Sequence, residues 1–171
     1  MTSLDDVVRS TEHRLLRLAL MLSGSRHNAE DLVQSVLARA HRQWERIGGL
    51  EHPEAYLRTM VVNEYLGWRR LLKNREVPLA EPIERPADFD LGARQAQRDA
   101  TWRLLTRLPR KQRAVLVLRY YEDLSYADIA AVLGCSMGTV ASQVSEALNT
   151  LRQRVGPESA ALLPDDEAVT R

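Results

Sequence analysis

Residues 124–151, LSYADIAAVLGCSMGTVASQVSEALNTL, restrict the fold more than any other stretch of this chain. Ser125 stands where a helix N-cap belongs, and Asp128, three places on, completes the pattern of a capping box. Ile129, Ala130 and Leu133 then give one apolar face, and Gly134 supplies the left-handed residue that ends such a helix. Ser136 stands as the cap of a second helix. Val140, Val144, Ala147, Leu148 and Leu151 recur at helical spacing and predict its buried side. Thr139, Ser142, Gln143, Ser145 and Asn149 fall on the other side. A short helix, a glycine turn and a second helix with a small polar outer face fit a DNA major groove. The same pattern also fits an ordinary helical hairpin inside an all-α core.

The remaining turn signals divide the chain. A helix is predicted over 4–22, with Leu15, Leu18, Ala19 and Leu22 on one face and Gly24 stopping it. A second is predicted over 27–45. Ala29, Leu32, Val33, Val36 and Ala40 form its buried stripe, while Glu30, Asp31, Gln34 and Arg39 point elsewhere. Ile47, Gly48 and Gly49 break the pattern, and Pro53 suits the first turn of a third helix running to about residue 74. Leu57, Met60, Val61 and Trp68 are expected to line its inner face. Residues 77–92, VPLAEPIERPADFDLG, hold three prolines and several acids without helical period, the pattern of an extended linker. A short helix follows over about 93–106, and Pro109 starts the next, with Val115, Leu116 and Leu118 apolar. Strand-like alternation and internal repeats are absent. The expected fold is all-α, with two small helical domains at 1–76 and 99–154, a linker at 77–98 and an acidic tail at 155–171.

Charge is spread unevenly beneath the overall +1. The net is +2 over residues 1–76, −1 over 77–98, +3 over 99–155 and −3 over 156–171. Two mildly basic parts separated by an acidic linker make a modest nucleic-acid footprint, too weak for tight non-specific DNA binding. With 27% charged residues and no run of about 18 apolar ones, no membrane insertion is expected. The N-terminus, acidic and then amphipathic, does not read as a secretory signal. A single cysteine, Cys135, rules out an internal disulfide and argues for a reducing, cytoplasmic compartment. Its place in the turn favours a small buried residue over a redox or metal role. His13, His27, His41 and His52 have no metal spacing with Cys135, and no glycine-rich phosphate loop is present. No enzyme activity, cofactor or metal is expected.

Several blocks carry a family resemblance. They are AEDLVQ (29–34), PEAYLR (53–58) followed by Val62 and Asn63, LPRKQRAVL (108–116), YYEDLS (120–125), Ile129 with Ala130, and LGCS (133–136). In order and spacing they resemble the small sigma factors of bacterial RNA polymerase, the extracytoplasmic-function subgroup of the sigma-70 family. Trp68-Arg69-Arg70 followed by REVP (75–78) resembles the sigma-E-like branch of that subgroup. The resemblance covers roughly residues 5–154.

It implies a sigma subunit that binds core RNA polymerase, directs it to promoters and helps melt the −10 element. Asp31 and Gln34 match the positions that dock on the polymerase clamp. An exposed acid facing a basic partner steers docking and fixes register. The loop over 48–52 and the third helix would handle the −10 element, with Asn63, Trp68, Arg69 and Arg70 as DNA contacts. Holding unpaired bases calls for stacking and hydrogen bonds. Leu71 and Leu72 interrupt the arginine run found in the branch. The acidic linker would thread the polymerase cleft, its Glu81, Glu84, Asp88 and Asp90 mimicking a nucleic-acid backbone; a plain solvated tether is the other reading. The second domain would dock on the polymerase flap and read the −35 element through Ser136, Thr139, Ala141, Ser142, Gln143 and Glu146. An anti-sigma factor joins core polymerase and promoter DNA among the implied partners.

The chain departs from the family pattern in that reading helix. Relatives usually carry Lys at the position of Ala141 and a basic residue at that of Glu146. Here residues 136–148 contain no Lys or Arg. Arg110, Lys111 and Arg113 are the remaining candidates for flanking phosphate contacts, with the amides behind the Ser136 cap for one phosphate more. Weak −35 binding is expected, with the fold intact. Two other readings stay open: a stand-alone helix-turn-helix regulator, and a sigma-like protein acting through protein contacts alone.

Overall fold

The computed structural model describes residues 3–67, 103–161 and 163–164. Among them every regular element is helical. The chain divides into two compact units, Met1–Asp88 and Phe89–Arg171. Trp68, Arg69, Arg70, the acidic linker and the first part of the helix expected over 93–106 lie outside the described residues; 103–106 is helical.

The first unit is built on three packed helices, α1 (Leu4–Ser23), α2 (Arg26–Arg42) and α4 (Pro53–Gly67), with a single turn, α3 (Trp44–Ile47), between the last two. Gly24 ends α1 in the left-handed region, at φ 77°, and its N–H reaches the Leu20 carbonyl at 2.9 Å. Ser25 caps α2 by accepting from the Asn28 N–H. The last turn of α2 holds Arg39, His41 and Arg42, which complement the negative end of its dipole. α1 buries Leu15, Leu18, Ala19 and Leu22, and α2 buries Ala29, Leu32, Val33, Val36 and Ala40. Both stripes match the expected ones.

Two expectations need correction here. The second helix does not run unbroken to residue 45: it ends at Arg42, and Gln43, at φ −114°, separates it from α3. On α4 the buried residues are Pro53, Leu57, Val61, Val62 and Tyr65, whereas Met60 is only half-buried. Val61 with Val62 widens the apolar arc because α4 packs against both α1 and α2.

The second unit begins with the helical turn at 103–106, which buries Leu105 and, just beyond it, Leu108. Pro109 takes the cap position of α5 (Arg110–Leu116) rather than a place inside it. α5 widens into a π-helical turn over Val117–Tyr121, closed by the Glu122 N–H on the Val117 carbonyl at 3.1 Å. That wider turn adds a residue to the helical register. Val117 and Leu118 go inward, and Tyr120 and Tyr121 stay exposed. Then come α6 (Tyr126–Leu133), α7 (Met137–Arg154) and α8 (Pro157–Ala160). α7 is the centre of the unit, packing against α5, α6 and α8. It buries Val140, Val144, Ala147, Leu148 and Leu151, the full expected stripe. On α6 the inner face is Ile129, Ala130 and Val132, and Leu133 is only half-buried.

Leu32→Ala should destabilise the first unit by about 2–5 kcal/mol, the cost of emptying a fully buried leucine site. Gln34→Ala, exposed two places on, should change it by less than about 0.5 kcal/mol. Urea unfolding followed by far-ultraviolet circular dichroism measures both.

Candidate nucleic-acid interface

The geometry of the second unit starts from its caps. Ser125 Oγ accepts from the Asp128 N–H at 3.1 Å and lies 2.6 Å from the Asp128 carboxylate, to which it donates. The acid therefore holds the capping hydroxyl. α6 ends at Gly134, left-handed at φ 66°, whose N–H reaches the Ala130 carbonyl. Ser136 starts α7 by accepting from the Thr139 N–H at 3.1 Å, and its hydroxyl also pairs with Thr139 Oγ1 at 2.9 Å. The chain bends by 100° between α6 and α7, the angle of a helix-turn-helix. Cys135, in the turn, is half-buried, with its N–H on the Ala130 carbonyl at 3.1 Å.

Because α7 turns its apolar stripe inward, its polar residues line up outside. Ser136, Thr139, Ser142 and Glu146 are exposed, and Ala141 and Gln143 are half-buried on the same side of the helix. Met137, at the first turn, is 55% exposed. Asn149 is exposed, and its amide oxygen is taken by Arg152 at 3.4 Å. The outer stripe carries one negative charge, Glu146, and no positive one from 136 to 148.

The unit's arginines are largely engaged with its own main chain. Arg113, named above as a phosphate contact, is buried instead. Its guanidinium donates to the carbonyls of Thr106 and Leu108 and fastens the 103–108 segment to α5. That corrects the expected role. Arg119 donates to the Leu124 carbonyl at 2.9 Å and stacks on Tyr126, Arg152 donates to the Pro164 carbonyl at 2.7 Å, and Arg154 donates to the Arg107 carbonyl. Lys111 is exposed and Arg110 half-buried.

In the first unit, Asp31 and Gln34 are exposed on α2, and Asp31 lies 3.4 Å from His27 across one turn. Asn63 is exposed on α4. A network that the sequence reading missed joins these helices: Glu64 accepts from Ser35 at 3.1 Å and pairs with Arg39. Ser35 and Arg39, four apart beside the buried stripe, were the available signal. The loop over 48–52 is bracketed as well. Arg46 donates to the Tyr56 hydroxyl at 2.8 Å and stands 5.8 Å over its ring, joining α3 to the start of α4. Gly48 is tied to composition by contact, since a Cβ there would meet the Trp44 indole Nε1 at 2.8 Å. Among the described residues no group of three or more His, Cys, Asp or Glu could hold a metal ion. No single described helix is long and apolar enough to cross a membrane.

Comparison with known proteins bears directly on these two units. Residues 7–75 match the family Sigma-70 region 2, and residues 98–151 match Sigma-70, region 4. The RNA polymerase sigma-E factor of Streptomyces coelicolor is 38% identical over 151 residues, which cover 88% of this chain and 85% of that protein. The ECF RNA polymerase sigma factor SigE of Mycolicibacterium smegmatis is 33% identical, over 94% of this chain and 64% of its own length. This chain belongs to the extracytoplasmic-function sigma factors. The sigma factor RpoE of Bartonella quintana, solved with the anti-sigma factor NepR, superposes with a TM-score of 0.67 at 28% identity, covering 87% of this chain and 94% of that one. The family assigns α6 and α7 to a region 4 helix-turn-helix and the first unit to region 2. Sigma factors are transcription-initiation proteins.

Two glycines of the helix-turn-helix should respond oppositely to alanine. Gly134→Ala forces a left-handed alanine and should cost about 1 kcal/mol, net of the entropy alanine removes from the unfolded chain. Gly138→Ala, inside α7 and 3.8 Å from Ser136 Oγ, should be neutral or stabilise by up to about 1 kcal/mol. Thermal unfolding midpoints distinguish the two.

Proposed function

We propose that this sigma factor binds core RNA polymerase through α2, with Asp31 and Gln34 against the clamp, and docks its second unit on the flap. It directs the enzyme to promoters and helps melt the −10 element, acting in the cytoplasm where polymerase works. Asn63 contacts the melted strand, and Trp68, Arg69 and Arg70 continue that surface by stacking and phosphate neutralisation. The domain limits follow the sequence reading: 1–76 for polymerase and −10 DNA, 99–154 for −35 DNA, joined by 77–98, with 155–171 as tail. An anti-sigma factor is a further partner, since the sigma factor RpoE of Bartonella quintana was solved bound to one. The protein catalyses nothing itself and needs no cofactor.

The observation that carries this reading is the pairing, in one chain, of a region 2 unit with exposed Asp31, Gln34 and Asn63 and a region 4 unit with an open recognition helix. Region 2 motifs have no use in a stand-alone regulator. The test is co-purification with bacterial core RNA polymerase. Wild-type chain should bind stoichiometrically, and the double variant Asp31→Arg, Gln34→Ala should lose binding while keeping its circular dichroism. Failure of the folded wild-type chain to bind would sink the sigma reading.

The −35 contact is proposed to be weak. Each phosphate contact contributes about 0.9 to the slope of log affinity against log salt, and each charge-assisted hydrogen bond about 1.5–3 kcal/mol. Residues 136–148 of the recognition helix offer none from a side-chain cation, and Arg113 is held inside. This observation also favours a second reading, action through protein contacts alone. The substitution Ala141→Lys should raise affinity for −35 DNA in the holoenzyme and steepen its salt slope by about 0.9. Unchanged affinity in a filter-binding titration would mean that this face does not meet DNA.

A further inference from the structure

The side chains left free on the recognition helix point to a −35 code of their own. This rests on the proposed docking of α7 in the major groove and goes beyond it by naming the bases. Among the outward polar groups, several are already engaged. Thr139 Oγ1 pairs with Ser136, and the Asn149 amide oxygen is held by Arg152. Ser142 has a hydroxyl that suits any base. Gln143 and Glu146 keep their head groups clear of the protein's own hydrogen bonds and ion pairs among the described residues.

These two sit three residues apart on one face, about 4.5 Å along the helix axis, a rise comparable with the roughly 3.4 Å spacing of stacked bases. They therefore address neighbouring base pairs. A glutamine amide matches the N7 acceptor and N6 donor of adenine, and a carboxylate, which only accepts, matches the N4 amino group of cytosine. For Glu146 the choice is narrow. Phosphates on either side repel a carboxylate, and guanine and thymine present it only acceptors or a methyl group in the major groove. The exposed Met137, on the first turn, gives an apolar contact for a thymine methyl. The guanine contact most used by DNA-binding proteins needs Arg or Lys, and residues 136–148 have neither.

We infer that this sigma factor reads its −35 element from the adenine and cytosine edges, with Gln143 selecting an A·T pair and Glu146 selecting the neighbouring C·G pair by its cytosine. The shortage of phosphate contacts lowers affinity, while base contacts set which sequence is chosen. Glu146 is then a specificity residue.

The test uses holoenzyme reconstituted with core RNA polymerase and a library of duplexes randomised through the promoter region, with bound DNA sequenced. Wild-type enzyme should enrich adjacent A·T and C·G pairs upstream of the −10 element. Glu146→Gln should lower the preference for cytosine by about tenfold and move it towards adenine. Gln143→Ala should erase the adenine preference alone. Replacing the guanine opposite that cytosine with 7-deazaguanine, which lacks the N7 acceptor, should leave binding unchanged. A cytosine preference that survives Glu146→Gln, or binding lost with 7-deazaguanine, overturns the inference. Polymerase-dependent binding with no preference upstream of −10 also overturns it while leaving the sigma reading standing. A chain that fails to join polymerase fails the underlying reading itself.

Discussion

The second unit is organised by the apolar stripe of α7. Val140, Val144, Ala147, Leu148 and Leu151 are buried to within a few per cent, and α5, α6 and α8 all pack on this one helix. The burial of five such side chains fixes the rotation of α7 about its axis. Once that rotation is set, the outer residues have no freedom over which way they face. Gly134 and the two serine caps then fix the angle at which α6 meets it. The outer face of α7 is a by-product of core packing, which is why its chemistry can change without loss of the fold. That residues 136–148 hold no Lys or Arg takes nothing from the interior.

The first unit solves a different problem. Asp31 and Gln34, the proposed docking residues, and Asn63 are exposed on different helices, α2 and α4. The apolar core holds those helices together, and the Ser35–Arg39–Glu64 network adds a polar link at the edge of the packed face. The Glu64 side chain is 17% exposed and that of Arg39 39%, so this is a partly solvated pair of modest worth. Around the 48–52 loop, the Arg46–Tyr56 contact and the close fit of Gly48 against Trp44 hold both ends of a segment that has few buried residues of its own.

The helical stripes of α1, α2 and α7 were legible in the sequence because apolar periodicity over four or five turns is unambiguous. So were Gly24, Gly134, Ser125 and Ser136, since each does a local job with local partners. What escaped were features set by distant or subtle neighbours. Val62 and Tyr65 are buried because α4 touches two helices, which a single stripe does not encode. The π-helical turn at Val117–Tyr121 leaves no compositional mark. Arg113 looked like a surface cation beside Arg110 and Lys111, and only the carbonyls of Thr106 and Leu108 explain its burial. Of the candidate site, the outer stripe of α7 could be listed from the sequence, but which members still had free head groups required the hydrogen bonds of Thr139 and Asn149.

The arginines of the second unit that are tied to backbone carbonyls carry one more consequence. Arg113, Arg119, Arg152 and Arg154 secure loops and termini by short, directional contacts between a charge and a carbonyl dipole. Mobile ions screen such contacts far less than they weaken association with a polyanion, where counterions compete for every phosphate. Rising ionic strength therefore weakens these internal contacts little. The fold of this unit is expected to hold over a wide range of salt.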